Sequence, residues 1–127
     1  MEVRLHRGEG KLQHIIEIGP HRIITDAPRQ YGGDESGPEP HDILDASLAA
    51  CTGVTLAMYA QRKGMDLQDI EVRISHKQEG GAYVMTRHLR YTGNLSDEEK
   101  QRLTEIAEKC PVHKTLTGEI RIVTMQD

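Results

Sequence analysis

The spacing of apolar and polar residues changes period along this chain, and each change marks an element. Val3 and Leu5 alternate with charged neighbours, and Leu12, His14, Ile16 and Ile18 alternate with Gln13 and Glu17, with Ile15 interrupting. That period of two predicts strands, and Gly19-Pro20 predicts a turn into a third, His21-Arg22-Ile23-Ile24. Residues 26–39 carry Pro28, Gly32, Gly33, Gly37 and Pro38 among acids and predict a loop, long enough that loops of its kind often carry function. From Pro40 the period becomes helical, with Leu44, Leu48, Cys51, Thr55 and Met58 on one stripe. Pro40 suits the first helical position, and Gly64 ends the run. A helix over 40–63 would be about 36 Å long and central to a domain of this size. Gly53 in its middle costs about 1 kcal/mol relative to Ala, which predicts close approach of another backbone there.

Beyond Gly64 the alternation returns. Ile70, Val72, Ile74 and His76 face one way, Gly80-Gly81 turns the chain, and Tyr83, Met85, Leu89 and Tyr91 share parity, which predicts an antiparallel hairpin. Ser96 and Glu99 form a capping box at the start of a helix with Leu103, Ile106, Ala107 and Cys110 on its apolar face. Pro111 biases Cys110 away from helical geometry, so the helix breaks there. A short helical turn over 112–116 and a strand over 119–123 complete the chain. Strands, long helix, hairpin, helix, strand is an α+β order with antiparallel pairing, in a single domain over residues 1–127.

Composition narrows the picture. The chain has 127 residues, 36% of them hydrophobic, with no Phe or Trp and four Tyr, so its core is aliphatic and part of its burial is expected at a subunit interface. A net charge of −4 with both signs interspersed leaves no footprint for nucleic acid. The pattern predicts no apolar run approaching the ~20 residues that span a bilayer, and the first residues alternate without an apolar signal core. The expectation is a soluble cytoplasmic protein, with no nucleic-acid or membrane partner. In that compartment the two cysteines, Cys51 and Cys110, stay reduced, and with no Cys-x-x-Cys pair and scattered histidines a zinc site is poorly supported.

Those two thiols are the candidate chemistry. A thiol attacks as thiolate, so its pKa must fall below the free value of about 8.5. Cys51 lies too far from the helix start for the macrodipole to act, and burial among Leu and Ala pushes the wrong way. A cation from outside the helix must face it. Cys110, as an N-cap before Pro111 with His113 nearby, is the more acidic thiol on local grounds, and which thiol attacks first stays open at this level. The inert alternatives are two buried structural cysteines, a dipole-stabilising Asp42 and a solvated Arg29.

The stretch Gly37-Pro38-Glu39-Pro40-His41-Asp42-Ile43-Leu44, followed by Leu48-Ala49-Ala50-Cys51-Thr52 and Val54-Thr55-Leu56-Ala57-Met58-Tyr59-Ala60, resembles the OsmC/Ohr family. Cys110-Pro111-Val112-His113-Lys114-Thr115-Leu116 resembles the second cysteine motif of its OsmC-like branch. The resemblance implies antiparallel sheets around a long central helix in an intertwined homodimer, with active sites at the subunit interface. It implies reduction of organic hydroperoxides, with Cys51 peroxidatic, Cys110 resolving through a Cys51–Cys110 disulfide, and an external dithiol reductant in place of any bound cofactor. In the family an arginine held by a glutamate ten residues before the first cysteine supplies the missing cation. Here that position is His41, with Asp42 next; on a straight helix Asp42 lies about 180° from Cys51 and His41 about 80°. Arg29 is the first candidate for the arginine and Arg22 the second. The alternative to a peroxidase is a non-catalytic, redox-sensitive binding protein holding a small apolar ligand in the interface cleft. A stress-associated dimer with inert cysteines is a third.

Overall fold

The computed structural model describes residues 1–127 and contains two compact units, Met1–Leu44 and Asp45–Asp127. In the first, β1 (Val3–Arg7), β2 (His14–Ile18) and β3 (His21–Thr25) form an antiparallel meander in that order. Val3 pairs with Ile18, and Ile18 with His21 across a turn in which Gly19 takes a φ of 57°. A left-handed residue there favours glycine, which has no Cβ to clash. The loop after β3 is ordered from within rather than by a core. The buried Asp26 carboxylate accepts from the Ala27 amide at 2.7 Å and from the Ser36 amide and hydroxyl at 3.0 and 2.5 Å. Those bonds hold the Asp26 carboxyl down at about 2, with the Ser36 hydroxyl the largest cause.

The helix α1 (Pro40–Lys63) begins and ends where Pro40 and Gly64 predicted, and the boundary between the units falls in its first turns. In the second unit it is followed by the hairpin β4 (Asp69–Glu79) and β5 (Ala82–Thr92), whose register sets Ile70 opposite Tyr91 and Val72 opposite Leu89. Next come α2 (Asp97–Ala107), with both bonds of the Ser96–Glu99 capping box formed, and α3 (Pro111–Thr117). The core is Leu56, Tyr59 and Ala60 of α1 against Leu103, Ile106 and Ala107 of α2, with Ile70, Leu89 and Tyr91 of the hairpin packed on it.

Three expectations change. The buried stripe of α1 runs through Asp45, Leu48, Thr52, Leu56 and Tyr59, while Met58 is 60% exposed. α1 is apolar on more than one face, so spacing alone could not choose which face the hairpin and α2 would cover. Gly53 has open space where a Cβ would stand, so nothing within this chain approaches it. Residues 119–123 form no strand, and Ile120, Ile122 and Val123 are exposed; neither sheet of this chain pairs with them, and an unpaired strand has no ladder to hold it. Against the expectation of no membrane-spanning run, α1 is by length and composition long and apolar enough to cross a bilayer. It is nonetheless a core helix, since its buried face carries the carboxylate of Asp45 and packs on α2.

Candidate functional site

α1 presents Cys51 half-buried, and the break between α2 and α3 presents Cys110 fully buried. Both thiols meet the first turn of α3. The Val112 amide donates to Cys51 Sγ at 3.5 Å, and the His113 amide donates to Cys110 Sγ at 3.4 Å, so Cys110 caps the helix as Pro111 predicted. The Thr55 hydroxyl lies 3.8 Å from Cys51 Sγ, one turn along α1. The Cys110 side chain is near enough to act on Cys51 as well. Two thiols separated by 58 intervening residues thus share one helix terminus.

The surroundings of Cys51 favour its thiolate. Burial pushes its thiol up, but the Val112 amide, the Thr55 hydroxyl, the Cys110 thiol and the charge of Arg87 outweigh that and leave it below the ordinary cysteine value. Local grounds weigh only neighbours in sequence. Cys51 is lowered by groups from α3 and β5, which sequence proximity does not reveal.

Arg87 is the residue that pattern reading missed. Its side chain is only 11% exposed, with Nη1 donating to Thr52 Oγ1 at 3.0 Å and Nη2 donating to His113 Nδ1 at 3.1 Å. Nη2 also lies 3.5 Å from Glu108 Oε2, and His113 Nε2 lies 3.3 Å from the same oxygen. The signal was present, since Arg87 has the parity of Tyr83, Met85, Leu89 and Tyr91. A cation on the covered side of a strand needs a reason, and here the reason is the thiol site. The same reasoning applies to Asp45, a carboxylate inside the apolar run of α1. Tyr83 donates to its Oδ1 at 2.7 Å and His76 Nδ1 bonds its Oδ2, so the buried charge is satisfied by the hairpin.

The other sequence candidates lie in the first unit. Arg29 donates from its backbone amide and its guanidinium to Glu35, at 3.1 and 3.2 Å. His41 Nδ1 stands 3.7 Å from Glu39 Oε2, and the Asp42 amide donates to Glu39 Oε1 at 3.1 Å. Arg22 is exposed on β3, opposite Glu17. Within the second unit the cation beside Cys51 is Arg87.

A cavity of about 400 Å³ adjoins this cluster. Leu48, Met85, Leu89 and Leu116 supply its apolar wall, and Arg87, Glu108 and His113 its charged one.

Fold and site define an α+β protein in which a long helix carries one thiol and the cap of a short helix brings a second against it. A family model described as OsmC-like protein matches residues 32–125, and the chain belongs to that family. No curated protein matches. Among solved structures, the OsmC-like protein of Mycoplasma pneumoniae is similar with a TM-score of 0.77 at 20% identity, covering 92% of this chain and 86% of that one. An organic hydroperoxide resistance protein OsmC from Legionella pneumophila matches with a TM-score of 0.66 at 21% identity, covering 93% and 90%. The organic hydroperoxide resistance protein OhrB of Bacillus subtilis matches with a TM-score of 0.62 at 22% identity, covering 93% and 92%. At these identities the likeness establishes the fold.

Proposed function

We propose that this protein is a two-cysteine thiol peroxidase that reduces organic hydroperoxides as a defence against oxidative stress. The observation that carries the reading is the pair of thiols at the start of α3, with Cys51 lowered and Cys110 within reach. The hydroperoxide resistance proteins among the structural neighbours support a general role in peroxide detoxification.

In the proposed cycle the Cys51 thiolate attacks the terminal oxygen of the hydroperoxide. The O–O bond breaks, the alkoxide leaves and takes a proton, and Cys51 becomes a sulfenic acid. Arg87 favours the thiolate form, and the Val112 amide donates to the same sulfur. The Cys110 thiol then attacks the Cys51 sulfur, water leaves, and a Cys51–Cys110 disulfide remains. An external dithiol, oxidised in turn, restores both thiols, which suits a reducing compartment such as the cytoplasm and needs no bound cofactor.

The working assembly is a homodimer. α1 leaves Val54 and Met58 about 60% exposed beside the open Gly53, and residues 120–125 leave Ile120, Ile122, Val123 and Met125 exposed. A second copy would cover these apolar surfaces.

The test is a thiol count. Reduced protein given slightly more than one equivalent of an alkyl hydroperoxide should lose both thiols far faster than free cysteine does. Cys51→Ser should abolish consumption, and Cys110→Ser should leave a sulfenic acid that dimedone traps. Thiols that survive the peroxide would overturn the reading. The cavity beside Arg87 favours a second one, a redox-sensitive protein binding a small apolar ligand; it predicts binding that persists in Cys51→Ser without turnover.

A further inference from the structure

The cation beside Cys51 does not stand alone. An arginine has five donors and no acceptor, so Nδ1 of His113, 3.1 Å from Arg87 Nη2, must be the unprotonated, accepting nitrogen. The ring proton is then on Nε2, which faces Glu108 Oε2 at 3.3 Å. A chain of contacts results, with Glu108 at ion-pair distance from His113 Nε2, His113 Nδ1 accepting from Arg87, and Arg87 donating to Thr52, the residue after Cys51. Each link comes from a different element: Glu108 from the end of α2, His113 from α3, Arg87 from β5 and Thr52 from α1.

We propose that His113 and Glu108 are positioning residues that hold the Arg87 guanidinium against the turn of α1 that carries Cys51. An arginine has several rotatable bonds, and Thr52 alone bonds only one of its nitrogens. His113 fixes the second nitrogen, and the Glu108 carboxylate beside Nε2 favours the tautomer with its proton there, which leaves Nδ1 free to accept. Glu108 does this from the surface, 66% exposed, because its partner is the outward nitrogen of the ring. His113 also follows Cys110 by three residues and bonds its sulfur through the backbone, so the side chain that holds the cation and the amide that holds the second thiol belong to one residue. The inference deepens the peroxidase reading, but its first readout needs no peroxide.

In a Cys110→Ser background Cys51 is the only thiol, and its ionisation can be followed by thiolate absorbance and by alkylation rate against pH. His113→Leu should move the ionisation midpoint up by roughly half a unit, about a threefold loss of thiolate below the midpoint. His113→Gln, which can accept from Arg87 and donate to Glu108 at once, should restore most of it. Glu108→Gln, on an exposed site that tolerates exchange, should shift the midpoint in the same direction by less. An unchanged midpoint in His113→Leu, or a His113→Gln as impaired as His113→Leu, would overturn the proposal. Should His113→Leu fail to fold, Glu108→Gln decides, and a parental midpoint there overturns it. If the shifts appear while the protein consumes no hydroperoxide, the positioning stands and the peroxidase reading falls.

Discussion

Replacing Arg87 by Met tests both the architecture and the chemistry. The guanidinium makes two hydrogen bonds, to Thr52 and His113, at 11% side-chain exposure. Hydrogen bonds from a charged donor are worth about 1.5–3 kcal/mol each. Removing the buried charge also removes its desolvation cost, which offsets a large part of that gain. The contact with the exposed Glu108 adds little, about 0–1 kcal/mol. The net loss should be about 1–3 kcal/mol, which for a chain of this size lowers Tm by roughly 5–10 °C. Cys51 simultaneously loses a charge that favours its thiolate, so its alkylation at neutral pH should slow. Arg87→Lys keeps the charge but cannot span Thr52 and His113 together, and it should fall between Met and the parent in both respects. Thermal scans by circular dichroism at fixed protein concentration, with alkylation kinetics in the Cys110→Ser background, provide the measurements. An Arg87→Met protein that melts with the parent and alkylates at the parental rate would refute the reasoning.

Two further predictions concern stability. Leu103 is fully buried between α1 and the hairpin, so Leu103→Ala should cost about 2–5 kcal/mol and lower Tm by roughly 10 °C, read in a denaturant or thermal melt; a change within the scatter of surface variants would remove it from the core. Asp26 is held at about 2, below its ordinary 3.8, so its contribution is present above pH 3.8 and is lost as pH falls through about 2. Denaturation midpoints followed across that window should fall less steeply in Asp26→Asn than in the parent, and parallel slopes would show that Asp26 does not supply the dependence.

The ends of α1 and α2 were readable because they depend on residues a few positions apart: Pro40 and Gly64 for one, Ser96 and Glu99 for the other. The hairpin was readable for the same reason, from Gly80-Gly81 and the parities on either side. The two thiols stood out through their motifs. What failed needed a partner surface. The 119–123 strand was inferred from alternation, but a strand exists only where another strand bonds it. The buried stripe of α1 was placed one residue away from its true line at Thr52 and Leu56, because an all-round apolar helix does not encode which side its neighbours take.

By itself the sequence determined an antiparallel α+β chain, a long helix bearing Cys51, and a capped break bearing Cys110. Those are local consequences of period, capping and proline geometry. Only the tertiary structure decided that the Val112 amide of α3 donates to Cys51, that Arg87 is the cation beside it, and that His113 and Glu108 line up behind Arg87. Arg29, nominated from the chain because it precedes the helix, bonds Glu35 within the first unit. A thiol's pKa depends on charges and donors within a few ångströms in space, and those arrive from strands and helices far along the chain. The residue pattern could show that Cys51 needs a cation; the packing of β5 against α1 and α3 supplied it.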